Sequence, residues 1–168
     1  MDPFEQFLEL KLEIENDQNI MRNLREYSFN KSHNLPYLGE GLANLCYRIG
    51  NVNGLWLASR EYIDCNHIIM KRIACEGYIK NLILNHKSGK KVPNICGGVN
   101  VKRKNFEKYF LLVEDLSNGG NSDFIPGKSG RKSGTVNGSE VFYDFDEDFS
   151  RIPKTYQYMN ENNMIQLI

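Results

Sequence analysis

The spacing of hydrophobic positions changes several times along the chain, and each change predicts a new element. Phe4, Phe7, Leu8 and Leu12, then Ile20, Met21 and Leu24, recur at helical spacing. One or two amphipathic helices are therefore predicted between residues 3 and 28, with a break near Asn16-Asp17. Asp2-Pro3-Phe4-Glu5 marks the start, with a cap, a proline in the first helical position and a glutamate in the third. This segment is expected to pack on the domain behind it, and docking of a partner is the alternative use. After Asn34-Leu35-Pro36 the pattern becomes that of strands: Tyr37-Leu38, then Leu45, Tyr47 and Ile49 beyond a glycine-containing turn. Asn53-Gly54 is the commonest two-residue hairpin turn, and Leu55 to Ala58 is its return strand.

Helical spacing resumes between Asn66 and His86, through Ile69, Ile73, Tyr78, Ile79, Leu82 and Ile83, and Ser88-Gly89 ends it. Val92 to Val101 and Tyr109 to Glu114 follow as strands, joined by the basic turn Lys102-Arg103-Lys104-Asn105. Helix, hairpin, helix and two further strands predict an α+β fold, an antiparallel sheet of about five strands with a packed helix. The predicted division is an N-terminal helical segment over 1–30, an α+β domain over 31–117, and a loop, short hairpin and tail over 118–168. Residues 117–139, rich in Gly, Ser and Asn, read as loop, with Val141-Phe142-Tyr143 as one more short strand.

Composition narrows the classes. The 168 residues carry 21 basic and 21 acidic side chains, so zero net charge gives no whole-molecule attraction to nucleic acid or to an anionic membrane. The longest apolar run, Tyr109 to Val113, falls far short of the roughly 20 residues of a membrane helix, so no membrane partner is expected. The acidic start lacks the apolar stretch of a secretory signal, and a cytoplasmic location is expected. Cys46, Cys65, Cys75 and Cys96 form no C-x-x-C pair and read as reduced, mostly buried thiols. Cys65-Asn66-His67 with Cys75 matches no common zinc spacing.

Candidate chemistry concentrates in Leu38-Gly39-Glu40-Gly41-Leu42-Ala43-Asn44, between the first two strands. Glycines there allow backbone N–H groups to approach an anionic ligand, although a Gly-x-Gly is more often an ordinary tight turn. Arg60 ends the return strand, and Glu76 lies in the next helix, 76 − 60 = 16 residues later. Such a pair is able to fix a phosphate-binding cation, but the spacing alone favours two solvated surface charges. Phe110 to Val113 runs into Glu114-Asp115-Leu116, where the backbone is placed either to face a flat base or to end a strand in solvent.

Gly39-Glu40-Gly41-Leu42-Ala43-Asn44 with Tyr47-Arg48-Ile49 resembles the phosphate-loop hairpin of the aminoglycoside phosphotransferase and choline kinase group, often Gly-Gly-x-x-Asn-x-x-Tyr-x-Val. Glu76, Val92-Pro93-Asn94-Ile95 and Glu114-Asp115-Leu116 follow in the order of that group, and the resemblance spans roughly residues 36–117, its amino-terminal lobe. It implies a nucleotide-binding, transferase-related lobe with ATP and Mg²⁺ as ligands. Gly39, Gly41 and Asn44 would lie at the phosphates. Arg60 would take the place of the strand lysine and Glu76 that of its helix partner, with Glu114 to Leu116 as the hinge that meets adenine. Asp144, with Asp146 close by, would resemble the metal-binding aspartate; without the resemblance, this acidic run reads as a solvated turn.

The chain departs from that group in two places. Arginine replaces the lysine, which is not a conservative exchange. Histidines occur only at 33, 67 and 86, so no His-x-Asp catalytic loop follows the hinge, and about 50 residues remain where a helical lobe would be. No catalytic residue is assigned, and phosphoryl transfer would need a lobe from a protein partner or a second copy of the chain. Ser122 to Ser129 imitates a P-loop but lacks its first glycine and a following helix. The alternative function is a non-enzymatic protein- or nucleic-acid-binding module. It would use the N-terminal helix and the basic turns Lys87/Lys90/Lys91, Lys102/Arg103/Lys104/Lys108 and Lys128/Arg131/Lys132, if these converge.

Overall fold

The computed structural model describes residues 13–14, 16–29, 35–40, 44–62, 68–127 and 133–143. Helix α1 covers Gln18–Phe29, and Asp17 caps it, its carboxylate accepting the N–H groups of Asn19 and Ile20 at 3.0 Å each. The cap explains the break expected at Asn16-Asp17. Ile20, Leu24 and Tyr27 form one buried stripe at i, i+4 and i+7.

Strands β1 (Tyr37–Glu40), β2 (Asn44–Val52) and β3 (Leu55–Tyr62) form a meander, with the β2–β3 turn at Asn53-Gly54, both residues in positive φ. Helix α2 (Ile68–Lys87) then leads to β4 (Ile95–Arg103) and β5 (Phe106–Glu114). The β4–β5 turn is tighter than the sequence suggests, because Lys104 takes positive φ and lets Arg103 pair with Phe106. All pairings are antiparallel, and the spatial order β1-β2-β3-β5-β4 places β3 at the centre with β5 beside it.

The two helices bury opposite sets of strand side chains. Ile14, Ile20, Leu24 and Tyr27 share one cluster with Ile49, Leu57, Val99, Val101, Phe110 and Leu112. Alternation along the strands sends Ala58, Leu111 and Val113 to the other face, and Cys75, Tyr78, Ile79, Leu82 and Ile83 of α2 are buried as well. Gly50 admits α1 to the first face: its φ is +145°, and a Cβ there would sit 2.6 Å from Ile20 Cδ1.

Beyond β5 the structure differs from the expected loop. A 3₁₀ turn (Asn118–Gly120) leads into a second antiparallel sheet, β6 (Phe124–Ile125), β7 (Ser133–Val136) and β8 (Ser139–Phe142), ordered β6-β7-β8. The short hairpin and the strand at Val141-Phe142 match expectation, whereas β6 and β7 are too short for a periodic signal. Asn137-Gly138 forms the β7–β8 turn, both residues in positive φ. No helix among the described residues is long and apolar enough to cross a membrane.

Candidate nucleotide site

A small, almost wholly apolar cavity of about 30 Å³ lies between the two sheets. Leu38 of β1, Cys46 of β2 and Ala58 and Arg60 of β3 supply one wall, and Tyr78 comes from α2. Val113 and the segment Glu114-Asp115-Leu116 supply the rim. Phe124 and Tyr143, from the small sheet, form the opposite wall, their rings meeting edge-to-face at 5.4 Å between centroids.

Arg60 is 1% exposed, and its guanidinium carbon lies 3.6 Å from the centroid of the Tyr78 ring. A desolvated guanidinium over an aromatic face is a strong cation–π contact. Glu76 is 0% exposed, two residues from Tyr78 on α2. The solvated reading of Arg60 and Glu76 is therefore corrected. Arg60 sits on the central strand, on the face away from α1, where Tyr78 of α2 stacks over its guanidinium. Arg60 faces the cavity, whereas Glu76 is not among its lining residues. The Cys46 thiol is pushed up by burial, opposed by the charge and hydrogen bond of Arg60.

The rim is held rigidly. The Asp115 carboxylate accepts N–H bonds from Ser117 at 2.9 Å and Gly119 at 3.0 Å, and the Ser117 hydroxyl at 2.5 Å. Arg48 Nε pairs with it at 2.7 Å, and Arg48 Nη2 donates to the Ser117 hydroxyl at 2.8 Å. Gly119, at φ 70°, lets the turn lie against Trp56, whose Nε1 would be 2.6 Å from a Cβ there. The N–H of Asp115 donates to the Trp56 carbonyl and that of Glu114 to the Asn94 carbonyl. Burial raises the Glu114 carboxyl above the usual glutamate range, opposed by the Asn94 N–H and by Lys91.

Arg60, Glu114 and Leu116 thus meet at one cavity. Gly39 pairs with Cys46 across β1 and β2, and Asn44 pairs with Tyr62 across β2 and β3, so the two lie in different ladders of the meander. Gly41, Asp144 and Asp146 lie outside the described residues. Cys46, Cys75 and Cys96 are buried, and no metal-binding cluster occurs among the described residues.

Sequence reasoning missed Leu38, Ala58, Tyr78, Phe124 and Tyr143 at this cavity. A signal existed for Ala58, which stands two residues before Arg60 on one strand and so shares its face. Lys90 and Lys91 border a separate open hollow of about 420 Å³ with His86, Asn94 and Glu114. They precede β4, whereas Lys102 and Lys104 lie at its far end, roughly 25 Å away at 3.3 Å per residue. These two basic turns therefore do not converge; the third, at 128–132, lies outside the described residues. No family model, curated protein or solved structure matches the chain.

Proposed function

We propose that this chain is a kinase-like nucleotide-binding lobe, with the base held between the five-stranded sheet and the Glu114–Leu116 segment. The observation that carries the reading is the gathering of Arg60, Val113 and Glu114 to Leu116 around one cavity, by the strand order β1-β2-β3-β5-β4 with α2 between β3 and β4. Arg60, Glu114 and Leu116 line one cavity, which supports the resemblance to small-molecule phosphotransferases. Ala58 and Leu38 would cover one face of the base, and Phe124 and Tyr143 would supply the other face that a helical lobe would otherwise provide. In this reading the β1–β2 hairpin carries the phosphates, with Arg60 as the buried cation that lines the cavity. Its guanidinium suits paired hydrogen bonds to phosphate oxygens. Mg²⁺ would be held by Asp144 and Asp146. Phosphoryl transfer awaits a base from another chain, so binding is the function proposed for this one.

Titration calorimetry with ATP·Mg²⁺ tests the reading. Saturable binding is expected, lost in Ala58→Phe, which fills the cavity, and in Gly41→Val, which crowds the phosphate hairpin. Circular dichroism melts establish that both variants fold. The reading fails if the folded wild-type chain takes up no nucleotide, or if Ala58→Phe binds it unchanged.

A further inference from the structure

Asparagine followed by glycine occurs three times, at Asn53-Gly54, Asn118-Gly119 and Asn137-Gly138. This pair carries its own chemistry. The backbone nitrogen of the second residue is able to attack the asparagine side-chain carbonyl, and glycine, with no Cβ, leaves that approach open. All three asparagines are exposed and lie in positive φ, at 51°, 49° and 50°, so neither exposure nor φ ranks them. What differs is the state of the glycine nitrogen and of the carbonyl it would attack.

In the β2–β3 turn the Gly54 N–H donates to Asn51 Oδ1 at 3.0 Å, and Asn53 Nδ2 donates to Glu13 Oε2 at 2.8 Å. The nitrogen is engaged, and a carboxylate accepting from Nδ2 strengthens the amide resonance, which makes the carbonyl a poorer electrophile. In the 3₁₀ turn the Gly119 N–H donates to Asp115 Oδ2 at 3.0 Å. Attack requires the nitrogen to lose its proton, and the buried Asp115 carboxylate opposes a second negative charge beside it. At the β7–β8 turn both conditions reverse. Among the described residues the Gly138 N–H meets no acceptor, and no heavy atom lies within 4 Å of the place a Gly138 Cβ would take. The Asn137 side-chain oxygen, meanwhile, accepts the Asp123 N–H at 2.9 Å. A donor there polarises the carbonyl and stabilises the oxyanion that attack creates. Ring closure also needs a transient departure from the turn. With four residues in each strand, β7–β8 is a shorter hairpin to open than β2–β3, with nine and eight.

We propose that Asn137 is a site of spontaneous deamidation, selected among the three pairs by the unengaged Gly138 N–H and by the Asp123 N–H held at its side-chain oxygen. Water is the co-reactant. The Gly138 nitrogen gives its proton to solvent hydroxide and forms a bond to Asn137 Cγ. The bond from Cγ to Nδ2 breaks and ammonia leaves, giving a succinimide. Water then opens the ring at one carbonyl or the other, to aspartate or isoaspartate, with no change of oxidation state. Isoaspartate inserts a methylene into the backbone between Val136 and Ser139, which pair across the hairpin. Val136 also pairs with Phe124 of the cavity wall, so the modification falls beside the strand that supports that wall.

The full folded chain is incubated in mildly alkaline buffer, and the three asparagines are followed by peptide mass spectrometry, with isoaspartate resolved by chromatography. Asn137 should convert severalfold faster than Asn53 and Asn118. In strong urea the three rates should converge, because the hydrogen bonds that separate them are gone. Asn51→Ala, at an exposed position, frees the Gly54 N–H and should raise the Asn53 rate while that of Asn137 stays unchanged. The proposal is overturned if Asn53 or Asn118 matches Asn137 in the folded chain, or if the same separation of rates persists in urea. It is equally overturned if Asn51→Ala leaves Asn53 as slow as before, since engagement of the glycine nitrogen would then not set the rate.

Discussion

Asp115 shows how one carboxylate organises a turn. It is 2% exposed and takes Arg48 together with two backbone N–H groups and a hydroxyl, so its burial is compensated by charge and by hydrogen bonds. Arg48→Ala strands that carboxylate, and a loss of about 3 kcal/mol in urea unfolding is expected. Adding Asp115→Asn should recover part of the loss, because the remaining group is then neutral. Glu114 adjoins it on the rim of the cavity. Its folded-state pKa is raised by burial, so the folded state holds the proton more tightly than the unfolded chain. The associated stability is fully present below the ordinary glutamate pKa and is lost as pH rises through the folded value. Unfolding free energy should fall over that interval in the wild type, and Glu114→Gln should flatten the fall. Urea titrations between pH 4 and 8 measure both slopes.

Among the elements, α1 packs closely on the sheet. Gly50 bulges β2 at a φ that L side chains rarely adopt, and it leaves space for Ile20 Cδ1. Gly50→Ala should cost about 2–3 kcal/mol through strain and overlap together. Ile20→Val removes the Cδ1 methyl, so the double variant should lose less than the sum of the single losses. A strictly additive pair would show that strain alone sets the cost. Most elements were legible because their signals are local. The Asn53-Gly54 turn, the helical spacing of Tyr78, Ile79 and Leu82, and the apolar run before Glu114 each report their own backbone. Of the small sheet, the short hairpin and the strand at Val141-Phe142 were legible, whereas β6 and its pairing with β7 were not, because β6 holds two residues and β7 four, too few to display a period. The burial of Arg60 was also hidden. It depends on which strands flank β3, and spacing along one strand carries no information about that.

For the molecule as a whole, the decisive feature is the junction of a rigid sheet with a small one over an apolar cavity. The resemblance to small-molecule phosphotransferases singled out Arg60, Glu114 and Leu116, and all three line one cavity. It gave no hint of Phe124 and Tyr143, because these rings reach the cavity only through the pairing of β6, β7 and β8. The stabilisation conferred by a bound nucleotide follows RT ln(1 + [L]/Kd), about 2.7 kcal/mol at a hundredfold excess over Kd. Thermal unfolding in millimolar ATP and Mg²⁺ should therefore rise by several degrees, and it should rise less in Leu38→Ala, which removes part of the wall over the base. An equal rise in both would place the nucleotide elsewhere on the chain.

The most direct test of the central claim is a ¹H–¹⁵N correlation spectrum of the full chain recorded during titration with ATP·Mg²⁺. The account expects saturable shifts at Ala58, Val113, Leu116 and Tyr143, the amides on the two walls and rim of the cavity. Shifts confined to Lys90, Lys91, Lys102 and Lys104, or an unchanged spectrum, would contradict it.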